Sequence, residues 1–405
     1  CIMTIASFIP SVTGMNAMSQ AQQSVSENIA NMRTTGYKQN ETLFQTLLGS
    51  SGRSVGSKSG LSSSRVSITG VNAYNRTNVD IEGPVQATGN KLDVAISGNS
   101  NAFFTLSDGY GNIYYSRAGD FQKLTQNGLP YLVSSGGLYV QGFKSVDGGD
   151  TFSSAASDIV VEAPLTIKQQ ETTAASIIAN VPAKDVDSAV YSVRIYSDNY
   201  DGANLNMVLK RIEGRQNSWA LSFELEDGTA VSPETEVIFD TNGKIKTPEK
   251  TTVAITWDDG STSSVALDLS GMTQYGNSSE ITKIQQNGFP SGEMTNMAFD
   301  DNGILRAHYS NGSNVTIAKL AVSGFTAPEN LTPYNNTLFE SNGETGNTFF
   351  VNTDELIVPE SLEGSSVDLA KEFSQMIVVQ RAYTLNSRSF TVNDEMLSTL
   401  VDLKS

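Results

Sequence analysis

The chain has 405 residues, of which 38% are hydrophobic and 17% charged, with a formal net charge of −17 and a pI near 4.5. This length is enough for two or three domains that each bury a core. The acidic balance offers no basic patch for counterion release, and no stretch reaches the roughly 18 apolar residues of a membrane span, so we expect no nucleic-acid partner and no membrane partner.

The first 34 residues carry an apolar stripe with the spacing of a coiled-coil helix. Apolar side chains recur at steps of three and four residues, or sums of these, at Ile5, Phe8, Val12, Met15, Met18, Val25, Ile29 and Met32. The segment contains only two charged side chains, Glu27 and Arg33, so it lacks the polar face of a lone surface helix. We therefore expect this helix to need several neighbours, including helices from other copies of the chain.

The stretch after this helix is expected to form a connector. Thr34, Thr35 and Gly36 predict the helix end. Residues 41–48 predict one more short helix, and the Gly/Ser-rich residues 49–70 predict a flexible or extended linker.

From about residue 76 the pattern alternates with a period of two, which predicts β-strands. Strand-like segments are separated by turn signals such as Asp108-Gly109 and Asn127-Gly128. The segments FDTNGKI (239–245) and FDDNGIL (299–305) repeat one pattern, which we interpret as a hairpin turn, because a calcium loop needs more oxygen ligands at defined spacing.

The last 41 residues, 365–405, contain no glycine or proline and could form one helix of about 60 Å. A strict ladder of steps of four and three residues has polar rungs at Gln380, Ser387 and Asp394 and apolar rungs at Leu369, Phe373, Met376, Tyr383, Phe390, Leu397 and Val401. A helical hairpin packed on the body of its own chain is the alternative to a polymerising coiled coil. A body of this size offers no face of that length, so we favour polymerisation.

These patterns predict a mainly β fold with terminal α-helices, made of coiled-coil helices at both ends and two nested sandwich or barrel-like β domains. The predicted parts are 1–34 and 362–405 (helical domain), 35–75 (connector), 76–145 and 287–361 (first β domain) and 146–286 (inserted β domain).

The sequence gives little sign of catalysis. The sole histidine, His308, lies in an alternating strand pattern, and the sole cysteine, Cys1, is expected to be an addition from cloning because Met3 offers a natural start. His308 has no Cys, Asp or Glu cluster around it in sequence, and the lack of a second histidine and of a usable cysteine argues against a zinc site, a Ser-His-Asp triad and a Cys-His dyad. We expect no enzyme activity, no catalytic or metal-binding residues and no cofactor. A carboxylate-dependent hydrolase remains an alternative.

Each end of the chain carries a long motif: ENIANMRTTGYKQNETLFQTLL (27–48) and LEGSSVDLAKEFSQMIVVQRAYTLNSRSFTVNDEMLSTLVDL (362–403). These segments resemble the N-terminal and C-terminal motifs of the bacterial flagellar rod and hook axial protein family. Glu27 and Tyr37 depart from the usual Asn and Phe, and Ser366 and Leu385 from the usual Asn and Ala. The inserted region resembles the additional outer domain of hook-type members, which shorter rod proteins lack.

The resemblance implies a structural subunit of a curved, flexible tube that transmits torque. It implies self-assembly into a helical polymer outside the cell, after flagellar type III export without a cleaved Sec signal. The implied partners are the distal rod protein, the hook cap, the hook–filament junction proteins and the export apparatus. A distal-rod or junction protein of the same family, or a secreted β-rich adhesin, are the alternatives.

The residues expected at subunit interfaces combine the apolar stripes with polar positions of the two motifs. They are Val12, Met15, Met18, Val25, Asn28, Ile29, Asn31, Met32, Leu369, Phe373, Met376, Gln380, Arg381, Tyr383, Asn386, Phe390, Leu397 and Val401.

Overall fold

A computed structural model describes residues 8–47, 70–184, 186–198, 202–226, 230–257, 260–276 and 278–402. Within these ranges the chain forms two long α-helices, α1 (Ile9–Ala30) and α2 (Leu369–Asp402), and a short 3-10 helix, Pro328–Asn330. The remaining regular structure is β, so the predicted mainly β fold with terminal helices is confirmed. Ile5 and the predicted linker lie outside the described residues, apart from Gly70.

The first strands are β1 (Asn40–Leu47), β2 (Gly70–Thr77), β3 (Val85–Ala87), β4 (Val94–Ile96), β5 (Ala102–Ser107), β6 (Ile113–Ser116), β7 (Phe121–Gln126), β8 (Leu129–Ser134), β9 (Tyr139–Lys144) and β10 (Ser157–Asp158). The next strands are β11 (Thr166–Ile167), β12 (Ala174–Val181), β13 (Ser188–Ile195), β14 (Ala203–Arg211), β15 (Ser218–Leu225), β16 (Ala230–Phe239), β17 (Ile245–Thr247), β18 (Lys250–Thr256), β19 (Thr262–Asp268), β20 (Thr273–Gln274) and β21 (Glu280–Gln286). The last strands are β22 (Gly292–Phe299), β23 (Ile304–Tyr309), β24 (Asn314–Leu320), β25 (Val322–Phe325), β26 (Thr332–Pro333), β27 (Leu338–Glu340), β28 (Thr348–Phe350), β29 (Ile357–Pro359) and β30 (Ser361–Glu363).

The chain divides into two compact units. Unit 1 comprises Cys1–Glu162, Met297–Arg306 and Val315–Ser405, and unit 2 comprises Ala163–Asn296 and Ala307–Asn314. Unit 1 therefore contains both terminal helices.

In unit 1, strands from early and late parts of the chain pair with one another. β5 pairs antiparallel with β6, β9 and β25, while β3 pairs with β30 and β4 with β29. An aromatic cluster forms a core, in which Phe103 contacts Phe325 and Phe339 with ring centroids 5.8 and 5.9 Å apart. Phe103 comes from the early segment of unit 1, and Phe325 and Phe339 come from its late segment. The two segments therefore bury their apolar faces against each other.

Unit 2 is a β-sandwich of two five-stranded sheets. One sheet has the order β13-β14-β15-β16-β17, and the other contains β18, β19, β12 and β20, with β21 also paired to β12. Alternate residues of β13 are buried and exposed, as expected for a strand with one face on a core. Trp219 and Trp257 both lie in this core.

The repeated Asp-x-Asn-Gly segments form tight turns, as interpreted from the sequence. In the first, Asp240 Oδ1 accepts hydrogen bonds from the N–H groups of Asn242 and Lys244, both at 2.8 Å. Asp300 caps the second turn in the same way. The carboxylate therefore closes the loop on its own backbone.

The helix predicted over residues 41–48 is wrong, because residues 41–47 belong to strand β1; Leu48 lies outside the described residues. β1 pairs antiparallel with β2 over eight residue pairs, from Asn40 opposite Thr77 to Leu47 opposite Gly70. The segment NETLFQTL is short and carries no clear period, so a partner strand decided its conformation.

The predicted N-terminal helix is confirmed, but it ends at Ala30, before the predicted stop. A turn follows, in which Gly36 has a φ of +67° and a Cβ at this position would lie 2.5 Å from the backbone nitrogen of Ala118. Glycine is therefore required here both for its backbone conformation and for close packing.

The C-terminal helix is confirmed over 34 residues. Asp368 caps it, because Asp368 Oδ1 accepts hydrogen bonds from the N–H groups of Ala370 at 2.9 Å and Lys371 at 3.3 Å. Neither α1 nor α2, over the residues described, is apolar enough along its length to cross a membrane.

His308 lies in β23, as predicted, with Nδ1 2.7 Å from Asn314 Oδ1. Among the residues that the structure describes, no three His, Cys, Asp or Glu side chains are grouped closely enough to hold a metal ion.

Candidate functional site: the terminal helix pair and its anchor

The two terminal helices pack against each other in antiparallel directions. The rings of Phe8 and Phe390 lie 5.0 Å apart, and Ser11 Oγ donates a hydrogen bond to Ser389 Oγ at 3.2 Å. Further along α1, a Cβ added at Gly14 would lie 2.9 Å from Asn386 Oδ1. Small side chains therefore let the two helix backbones approach closely.

The buried face of α1 consists mostly of small residues, not of the predicted apolar stripe. Its buried members are Ser11, Gly14, Ala17, Ala21, Ser24, Val25 and Asn28. Of the predicted α1 interface residues, only Val25 and Asn28 are buried. Val12 and Met32 are each 37% exposed, and the half-buried ones are Met15, Met18, Ile29 and Asn31. Most of the predicted stripe is thus only partly covered within the chain.

The predicted residues of α2 are mostly accessible as well. Phe373 is 51% exposed, Tyr383 41% and Phe390 36%. Gln380 and Arg381 are exposed, and the half-buried residues are Leu369, Met376, Asn386 and Leu397. The side chain of Val401 lies outside the described residues.

Asn28 attaches the end of α1 to the start of β1. Its Oδ1 accepts hydrogen bonds from Asn40 N at 2.9 Å and Tyr37 Oη at 3.1 Å, and its Nδ2 donates to Asn40 O at 2.8 Å. Ser24 Oγ donates to the same carbonyl at 3.1 Å. One amide side chain thus pairs with both backbone groups of Asn40, as a neighbouring strand would.

A buried ion cluster joins the two terminal motifs to Arg117, the residue that follows β6. Glu363 Oε1 lies 2.8 Å from Lys38 Nζ, and Glu363 Oε2 lies 2.8 Å from Arg117 Nε. The Lys38 and Arg117 side chains are fully buried, and that of Glu363 is 1% exposed. Because one carboxylate serves two cations in a dry environment, this cluster is sensitive to the loss of any member.

Hydrogen bonds to the backbone complete the cluster. Lys38 Nζ donates to Ile81 O, and Arg117 Nη1 donates to Asn99 O at 2.9 Å. The N–H of Gly83 donates to Glu363 Oε1 at 2.8 Å. Burial lowers the pKa of Lys38, and the Glu363 carboxylate opposes this shift.

A second polar contact joins α2 to the N-terminal motif. Gln39 Nε2 donates a hydrogen bond to Glu372 Oε1, and both side chains are buried. Burial, with the charges of Glu27 and Glu372 nearby, raises the pKa of Tyr37 to about 12. Tyr37 therefore stays protonated and can donate to Asn28.

The reasoning from sequence missed this anchor, formed by Tyr37, Lys38, Arg117 and Glu363. Lys38 and Glu363 both lie in the family-like motifs, and charged residues are few in these terminal segments, so the sequence could have marked these two residues as notable. It could not have revealed their pairing with Arg117, which lies in a strand-rich region far from either motif.

We expect Asn28→Ala to lower the free energy of unfolding of unit 1 by about 1–3 kcal/mol, because it leaves the N–H of Asn40 without its partner and the carbonyl of Asn40 with Ser24 Oγ as its remaining side-chain donor. Urea unfolding of the purified chain, followed by far-UV circular dichroism, measures this. Asn16→Ala, on the exposed side of α1, is the control with the same gain in helix propensity. Equal midpoints for the two variants would refute the role of Asn28.

Both ends and the middle of the chain match models of known protein families. Three family models match: "Flagella basal body rod protein" at residues 11–38, "Flagellar basal body protein FlaE D2 domain" at 166–289 and "Flagellar basal body rod FlgEFG protein C-terminal" at 358–403. The two terminal matches contain Asn28, Lys38 and Glu363, which belong to the observed contacts.

Similar full-length proteins share the whole length of the chain. The flagellar hook protein FlgE of Salmonella typhimurium is 28% identical over 98% of this chain and 100% of its own. The FlgE of Escherichia coli K12 is 26% identical, with the same coverage, and that of Treponema pallidum is 24% identical over 98% of this chain and 99% of its own.

A solved structure shares the fold. The crystal structure of the Helicobacter pylori flagellar hook protein FlgE2 matches with a TM-score of 0.52 and 13% identity, over 69% of this chain and 99% of that one. The chain is therefore similar to flagellar hook proteins at both terminal motifs, in the middle and over nearly its full length.

Proposed function

We propose that the chain is the structural subunit of a flagellar hook, polymerising into a curved, flexible tube that transmits torque from the basal-body rod to the filament. The observation that carries the proposal is the terminal helix pair. α1 and α2 pack through small residues, yet α2 keeps large apolar side chains such as Phe373 and Tyr383 exposed. Exposed apolar surface of this kind is typical of an interaction site.

The anchor suits such a subunit mechanically. Torque that passes along a tube must cross from the helix pair to the β part of each subunit. In unit 1 this link consists of the anchor together with Asn28 and Gln39, and all of these side chains are buried. Buried, charge-assisted hydrogen bonds resist shear better than exposed ion pairs, which water and salt weaken.

The finer assignments are part of the same proposal. We infer that the subunit contacts a distal rod protein at one end of the tube, and a hook cap and hook–filament junction proteins at the other. We infer export through the flagellar type III apparatus without a cleaved Sec signal, to a place outside the cell. In this role the chain acts by assembly and not by catalysis.

Complementation tests the proposed function. A strain whose own hook gene is deleted should form hooks and swim when it expresses this chain, or a chimera in which unit 1 of this chain replaces its counterpart. Electron microscopy of isolated basal bodies shows whether curved tubes are present. Basal bodies that end at the rod, despite normal amounts of the expressed chain, would refute the proposal.

A further inference from the structure

α2 carries a second apolar flank, separate from the predicted stripe. Its members share high exposure and a spacing of seven, seven and four residues. They are Val378 (65% exposed), Leu385 (65%), Val392 (48%) and Met396 (60%). At about 100° per residue, this spacing places all four along one side of the helix. We call this set the second flank.

The two flanks of α2 lie on either side of the contact with α1. Val379 is 9% exposed, and Asn386 lies against Gly14 of α1. From Val379, a rotation in one direction reaches Met376 and then Phe373, and a rotation in the other direction reaches Val378. We call Phe373, Met376 and Tyr383 the seam flank. α2 thus exposes two apolar surfaces when α1 is in place, and the side of the helix between them carries Arg381, Arg388 and one apolar residue, Ile377, which is 53% exposed.

Val378, the first residue of the second flank, lines a groove of about 370 Å³. The groove lies between α1, α2 and β1, and its lining includes Ala21, Val25, Thr42, Phe44, Ser374 and Val378. Small side chains form its floor, while Phe44, 49% exposed, stands at its side. A cavity of this size has room for one large side chain of a partner.

Cations accompany the second flank. Lys371, Arg381 and Arg388 are exposed, and within the described part of the chain none of the three forms an ion pair. The chain as a whole has a net charge of −17. A second copy of this acidic chain therefore has a net charge opposite to that of the three cations. One of its carboxylates, Asp394, is exposed on the same side of α2 as the seam flank.

We propose that the seam flank of α2 in one copy docks on the second flank and groove of the next copy, with Phe373 entering the groove. This inference rests on the proposed function. An open helical polymer needs two different, complementary surfaces on each subunit, because a contact between identical surfaces closes into a dimer. Protruding aromatic rings on one flank and a cavity beside the other meet that requirement.

Cysteine cross-linking tests the contact. In a Cys1→Ser background, Gln375→Cys places a thiol in the groove lining and Gln380→Cys places one beside the seam flank, at two exposed positions. On one helix these positions are about 7.5 Å apart along the axis and point to different sides, so they cannot pair within a chain. Oxidation of isolated hooks should give a ladder of multimers for the double variant only. Each single variant is a control.

A groove-filling variant gives a second, independent measurement. Ser374→Phe, at an exposed position on the groove, should leave the unfolding midpoint of the monomer unchanged. It should reduce hook formation at least about tenfold, with the exported chain found in the medium. Ser374→Ala is the matched control and should assemble normally.

The outcomes separate this inference from the proposed function. Normal hooks without a ladder, or normal hooks from Ser374→Phe, would overturn the docking mode and leave the hook assignment intact. A wild-type chain that builds no hooks would overturn both. A ladder in the double variant together with loss of hooks in Ser374→Phe supports the docking mode.

Discussion

Glu363→Gln should destabilise unit 1 by about 3–5 kcal/mol, because it leaves Lys38 and Arg117 buried without the carboxylate that neutralises them. Gln has the same shape and keeps one hydrogen-bonding oxygen, so the loss reports on charge and not on packing. The remaining carboxylate, Glu82, lies 3.6 Å from Arg117 and is 33% exposed. It cannot replace Glu363 for both cations.

The distribution of tryptophan makes the measurement specific. Both tryptophans of the chain, Trp219 and Trp257, lie in unit 2. In a urea titration, tryptophan fluorescence therefore follows unit 2, while far-UV circular dichroism reports on both units. We expect Glu363→Gln to move the dichroism transition and to leave the fluorescence transition in place.

An exposed ion pair in the same unit provides the control. Glu360 pairs with Lys91, and the two side chains are 40% and 49% exposed. Glu360→Gln should cost less than about 1 kcal/mol, because water screens this pair. If the Glu363 and Glu360 variants unfold at the same urea concentration, the cluster does not stabilise unit 1.

Phe373→Asp should abolish hook formation and spare the fold of the monomer. The side chain is 51% exposed in the isolated chain, so a charge there changes the monomer by no more than about 0.5 kcal/mol. In a polymer the same charge is buried at every subunit, at a cost of several kcal/mol each time. Electron microscopy of basal bodies, with assay of exported chain in the medium, measures the effect.

Two further variants test whether the effect comes from the charge and from the predicted stripe. Phe373→Leu keeps an apolar side chain and should form hooks. Leu369→Asp, at the half-buried first residue of α2, should also block assembly. Normal tubes from Phe373→Asp would mean that the predicted stripe of α2 is not a subunit interface.

Much of the local structure could be read from the sequence. The apolar spacing of three and four residues predicts α1 and α2, because side chains so spaced share one face of a helix. Alternation with a period of two, broken by Asn-Gly and Asp-Gly turns, predicts β structure from about residue 76 onward. Both patterns depend only on residues that are close together in sequence, so they can be recognised before the fold is known.

The tertiary structure decided what depends on distant partners. Residues 41–47 form a strand because β2 offers a partner, and α1 packs its small residues against α2 although its apolar stripe is more hydrophobic. Helix backbones can approach closely only where side chains are small, and close approach maximises dispersion contacts.

The anchor shows the same division. Lys38 and Glu363 are separated by 325 residues in the chain, yet lie 2.8 Å apart. Their motifs marked them as notable residues, but local sequence could not reveal Arg117 as their partner. Sequence by itself determined the periodic elements and the two terminal motifs of this protein. Only the tertiary structure determined which charges pair. A charged side chain can be buried without a large cost only where the fold brings an oppositely charged partner from a distant part of the chain next to it.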